Sequence, residues 1–112
     1  MTFENFVSDV ADGKVLTTPK LQVLAHHYRA AHVYINRVRA DRKAQLREPD
    51  GSGLRIKAFD ENYMATYELE DVFEAAFRRA IATPTSALEV EAKNAADVAL
   101  RAFFTLFEVE PP

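Results

Sequence analysis

One stretch constrains this chain more than any other: residues 19–47, PKLQVLAHHYRAAHVYINRVRADRKAQLR, where no glycine occurs and the only proline is the first residue. Thr18-Pro19 opens it. A threonine hydroxyl caps the first free amides, and proline suits the first helical position, where its missing N–H is not needed. At about 100° per residue, Leu21, Leu24, Tyr28, Ala31, Ile35 and Val38 share one stripe, three and four positions apart. Pro49-Asp50-Gly51-Ser52-Gly53 then stops the helix. The spacing predicts one long helix over 19–47, with shorter elements left to cover its apolar side.

The stripe changes character after Val38. Arg39 and Arg42 take its next positions, and Leu46 alone resumes it. Arg29, Arg37, Lys43 and Arg47 lie on the opposite flank. Seven cations against Asp41 alone give this stretch +6, which leaves −9 for the remainder of a chain whose net charge is −3. Acids gather at Asp60, Glu61, Glu68, Glu70, Asp71 and Glu74. A separation of charge this large predicts internal pairing or a partner of opposite sign.

At 112 residues the expectation is a single helical domain over 1–112, able to bury roughly two-thirds of its unfolded surface. Charged residues at 28% and apolar residues at 48% argue against wholesale disorder. The chain has no cysteine, so disulfide and thiolate chemistry are excluded. MTFENFVSDV lacks the basic-then-apolar pattern of a secretory signal, and no apolar run approaches the roughly 20 residues that cross a bilayer. A small, acidic, cytoplasmic protein away from membranes is the expectation.

Residues 3–12 read as a short amphipathic helix, with Phe3, Phe6, Val7 and Val10 on its apolar face and Gly13 as its stop. It is too short to persist unless it docks. Residues 54–69 are expected to form a β-hairpin. Leu54 to Phe59 alternates apolar and basic, Tyr63, Ala65, Tyr67 and Leu69 share a side, and Asp60-Glu61-Asn62 joins the two arms. The competing reading is a helix over 60–82 with Tyr63, Tyr67, Phe73, Phe77 and Ile81 inward. From Glu70 onward Val72, Phe73, Ala76, Phe77, Ala80 and Ile81 recur at helical spacing. Glu70 and Asp71 suit a helix start, Arg78 and Arg79 suit a helix end.

Ser86-Ala87-Leu88-Glu89 has capping-box spacing and opens a last helix to about residue 108. Leu88, Ala92, Ala95, Ala99, Phe103 and Leu106 form its main stripe, and its many alanines permit close helix approach. Its end, Ala102-Phe103-Phe104-Thr105-Leu106-Phe107, is apolar nearly all round, so it is either core or covered by another chain. The fold class expected is therefore mainly α, three to four helices around one long central helix, with one β-hairpin.

Few residues suggest chemistry. His26, His27 and His32 point roughly 100 to 140° apart on a helix, which does not converge on a metal. Glu70 and Glu74 share a helix face, but no second acidic motif completes a cation site. Ser8, Ser52 and Ser86 lack a nucleophile's context, and the glycines form no phosphate loop. No catalytic residue, cofactor or metal is expected. The reading that follows is a non-enzymatic module that binds another protein through helix faces, as an adaptor, inhibitor or accessory protein, and forms a homodimer. Its oligomer interface would comprise Ala95, Ala99, Phe103, Phe104 and Phe107. The basic helix, through Arg29, Arg37, Arg39, Arg42, Lys43 and Arg47, would meet an acidic partner. The alternatives are a nucleic-acid-binding regulator using that helix, and a small enzyme or metal protein.

Overall fold

The computed structural model describes residues 2–45 and 54–107, with the side chains of 42, 43, 45, 54–60, 62, 63 and 65 outside that description. Four helices follow in order: α1 (Phe3–Ala11), α2 (Pro19–Gln45), α3 (Leu54–Ala82) and α4 (Ser86–Phe107). The starts of α1, α2 and α4, and the end of α1, each have a local cause. Thr2 caps α1 by accepting from the Asn5 amide at 3.2 Å, and Thr18 caps α2 by accepting from Leu21 at 3.3 Å. Past the end of α1, Gly13 takes φ +78°, a conformation glycine adopts without steric cost. Its amide reaches Val10 O at 3.2 Å and the Lys14 amide reaches Asp9 O at 2.8 Å, which is the Schellman closure.

The long second helix is unbroken through 30–38. Its predicted stripe points inward as expected: Leu21, Leu24, Tyr28, Ala31 and Ile35 are buried, and Val38 packs against the core. Leu46 and Arg47 lie outside the described residues.

The hairpin expected over about 54–69 is absent. The backbone there is the first half of α3, which runs without interruption to Ala82. Two physical reasons decide it. Asp60-Glu61-Asn62 offers no glycine for the positive φ that a three-residue hairpin loop favours. In addition, α4 runs antiparallel to α3 and gives it a partner along much of its length. Arg79 bonds Glu91 and Tyr67 meets Phe103 edge-on, and both pairs are equidistant from Thr85 in sequence. Since α3 begins at Leu54, Glu70 and Asp71 sit mid-helix, and the dipole argument for their placement falls. Val72, which shares the helical spacing of Phe73, Ala76, Phe77 and Ala80, is exposed while those four are buried.

At α4 the cap is Thr85, which accepts from the Leu88 amide at 3.2 Å. The predicted Ser86–Glu89 capping box does not form. Glu89 instead accepts from the Thr18 hydroxyl at 2.6 Å, tying the starts of α2 and α4 together. Tyr34 and Phe104 meet further along, 6.1 Å between ring centroids, so α2 and α4 run parallel. The three long helices form a bundle elongated to 53 × 27 × 22 Å. Across the groove between α2 and α3 lies α1. Its Phe3 ring packs on Tyr28, Phe73 and Phe77, and Phe6 meets Phe77 edge-on. Arg78 closes over Phe6, 4.6 Å from the centroid, while its Nε donates to Glu74.

Replacing the observed cap, Thr85→Ala, is expected to lower stability by about 1 kcal/mol, whereas Ser86→Ala stays within a few tenths. Urea denaturation of both variants checks the assignment. Equal losses would return the cap to Ser86.

Candidate functional site

Two places hold side chains that helix packing alone does not require. The first is an open groove on the side of the bundle that α1 leaves uncovered. Its walls are the first turns of α2 and the first half of α4, and it encloses about 730 Å³. Leu21 and Leu24 form the buried floor, and Val23 and Val90 stand on the walls at 66% and 57% exposure. Lys20, His27, Glu89, Lys93 and Asp97 complete the lining. Lys93 bonds Asp97 at 2.9 Å across one helical turn, and both side chains remain open to water. The rim therefore carries two lysines and two carboxylates around an apolar floor.

The second is a buried polar cluster where α1, α2 and α3 meet. Tyr28 is buried and its hydroxyl donates to Glu70 Oε2 at 2.5 Å. The same oxygen lies 3.4 Å from His32 Nε2. His32, only 8% exposed, turns its other nitrogen toward Glu4 Oε1 of α1, also at 3.4 Å. Burial opposes a charge on His32, but the hydrogen bond and charge of Glu70, with Glu4 behind them, outweigh it and raise the imidazole above its ordinary pKa. Burial likewise works against the Glu70 carboxylate. The hydrogen bonds from His32 and Tyr28, with the histidine's charge, overcome that and hold it below the usual range.

The histidines are thus dispersed. His26 and His27 are exposed, His26 beside Arg29 and His27 in the groove, while His32 is buried on another side. Among the described residues no three potential ligands gather to hold a metal ion. The sequence places Glu70 at a helix start and Tyr28 on the apolar stripe of α2. Their union with His32 goes unseen there because Glu70 joins Tyr28 and His32 only when α3 extends back past residue 70. One signal was present: Glu70 falls three residues from both Tyr67 and Phe73, on the inward side of a continuous helix.

The residues expected to meet a partner fall in different places. Arg29 donates to Asp12 at 2.9 Å, and that bond lowers the Asp12 pKa. Arg37 is exposed and Arg39 is half-buried with contacts of its own. The side chains of Arg42 and Lys43, and all of Arg47, lie outside the described residues. The apolar end of α4 belongs to the protomer's own core. Ala99, Phe103, Phe104 and Phe107 are buried within the chain, and Ala95 is half-buried against them. Those rings therefore do not form an open face in the protomer. Among the described residues no helix is long and apolar enough to cross a membrane.

Comparison of the chain with protein-family models, with curated proteins and with solved structures gives no match.

The cluster makes stability depend on pH at both ends. A raised His32 pKa stabilises fully below the ordinary value of 6.5 and is lost as pH climbs through the folded value. A lowered Glu70 pKa stabilises fully above the ordinary 4.5 and is lost as pH falls through the folded value. Both contributions are complete between those two ordinary values. Denaturation midpoints across a pH series are expected to show this plateau, and His32→Gln should remove the decline on its alkaline side. A variant whose alkaline limb matches the wild type would separate His32 from the effect.

Proposed function

We propose that this protein is a non-enzymatic protein-binding module whose docking face is the α2–α4 groove, and that the occupant of that groove is a second copy of the chain. The observation that carries this reading is the groove's rim. A two-fold interface sets one patch against itself, so it needs a surface complementary to its own image. An apolar floor bordered by Lys20 and Lys93 on one hand and Glu89 and Asp97 on the other meets that need without net charge. Val23 and Val90 supply exposed apolar area at its edge. The Lys93–Asp97 pair is open to solvent, so its exchange for an intermolecular pair costs little.

The buried cluster supports a structural role better than a catalytic one. His32 and Glu70 lie largely enclosed where three helices meet, and neither lines the α2–α4 groove. The nucleic-acid alternative has weaker support. Arg29, the first of its cations, is engaged by Asp12 of the same chain, and the molecule is acidic as a whole.

Sedimentation over a concentration series reaching about 100 μM is expected to show a monomer–dimer equilibrium. Val23→Asp and Val90→Asp, both at exposed positions, should shift it to monomer while leaving helicity by circular dichroism unchanged. A wild type that stays monomeric throughout removes the second copy as the occupant.

A further inference from the structure

His32 stands at a junction where its two ring nitrogens have unequal surroundings. Nε2 faces one group, the Glu70 carboxylate of α3. Nδ1 faces two: Glu4 Oε1 of α1 at 3.4 Å and Asn36 Nδ2 of its own helix at 3.4 Å. These two neighbours make opposite demands. A carboxylate accepts a hydrogen bond, and an amide NH₂ donates one. Nδ1 attracts Glu4 only when it carries a proton, and accepts from the Asn36 amide, with its Nδ2 turned to the ring, only when it presents a lone pair.

We propose that His32 is a proton-operated clasp, whose Nδ1 holds α1 through Glu4 when the ring is protonated and turns to Asn36, releasing α1, when the ring is neutral. Glu70 fixes which neutral form is reached. Its Oε2 already accepts from Tyr28 and requires a donor at Nε2, so the proton that leaves is the one on Nδ1. The α2–α3 bond therefore survives deprotonation, and the charge attraction that holds Glu4 of α1 does not. The raised pKa of the ring agrees with two carboxylates acting on the cationic form.

The two carboxylates differ in what release costs them. Glu70 is largely enclosed and keeps the Tyr28 hydroxyl. Glu4 has two-thirds of its side chain in water and can be rehydrated at once. The element freed is also the one least able to persist alone, a nine-residue helix. Its other ties are the buried side chains of Val7, Val10 and Ala11, the Asp12–Arg29 bond, the Gln22 side chain donating to Ala11 O, and the rings of Phe3 and Phe6 beneath Arg78, so loss of the Glu4 contact loosens α1 without detaching it. Loosening α1 uncovers those two rings together with Phe73 and Phe77, an aromatic surface otherwise hidden.

Other ionisable groups stand near enough to matter. His26 Nδ1 lies 3.3 Å from Arg29, the partner of Asp12, and so touches a second tie of α1. Glu74 holds Arg78, which covers the α1 rings. Asp9 rides on α1 itself. The described residues of α4 bring no charged group within ion-pair distance of His32; the charges that act on it are those of Glu70 and Glu4.

The test follows imidazole nitrogen shifts and α1 amide protection in parallel, on the whole chain, from about pH 5 to about pH 8.5 across the histidine range. Both His32 nitrogens are expected to be protonated at the acidic end and Nε2 alone at the alkaline end. The protection factor of the Val10 amide, corrected for intrinsic exchange, should fall about two- to fivefold along the same titration, the range of a partly exposed ion pair. Glu4→Gln should lower the His32 pKa and abolish that fall. Asn36→Leu should raise the pKa, and His26→Gln should leave the His32 titration in place. The clasp is overturned if Val10 protection is constant through the His32 titration, if the neutral ring keeps its proton on Nδ1, or if Glu4→Gln leaves the His32 pKa unchanged.

Discussion

The burial of Tyr28 sets a requirement that much of the fold goes on to meet. Its ring lies 4.4 Å from Phe73 and 6.2 Å from Phe3, so it belongs to the core shared by α1, α2 and α3. A tyrosine placed there must still find a partner for its hydroxyl, because an unsatisfied buried polar group is costly. Glu70 answers it, and a carboxylate in that position needs a further donor, which is His32. Each polar group drawn inward thus recruits the next, until the chain of contacts reaches water at Glu4. The result specifies how three helices are aligned, which apolar packing alone would leave looser.

Among the described residues, part of the separation of charge along the chain resolves into short local pairs. Arg29 goes to the loop after α1, and Arg78 and Arg79 of α3 take Glu74 and Glu91. Glu70, one of the acids expected to answer arginines, serves a tyrosine and a histidine. The pairs are short-range and lie mostly at the surface, where each contributes modestly. The bundle's cohesion comes from an apolar core to which all four helices contribute, aromatic in α3 and both aromatic and alanine-rich in α4.

Much of the fold was legible. Period and punctuation located α1, α2, the second half of α3 and α4, and the inward residues of α2 were assigned from spacing alone. Thr18-Pro19 and Gly13 marked boundaries because their chemistry is local. The first half of α3 was misread, since alternation over six residues fits a strand and a helix face alike. From Tyr67 onward the neighbour is α4, which returns antiparallel alongside α3, as the Tyr67–Phe103 contact records. The cap of α4 moved by one residue for a related reason, because Glu89 was wanted by Thr18, some seventy positions away in sequence.

The candidate sites divide along the same line. Sequence by itself determined that the chain is helical, that α2 carries a basic flank, and that no metal-ligand spacing exists among its histidines, since all three follow from order along one chain. Only the tertiary structure decided that the apolar end of α4 turns into its own core, that an open groove lies between α2 and α4, and that Glu4, His32 and Glu70 meet. Those outcomes depend on which helix faces are left over once the others are buried. Residues distant in sequence become neighbours only when that choice has been made.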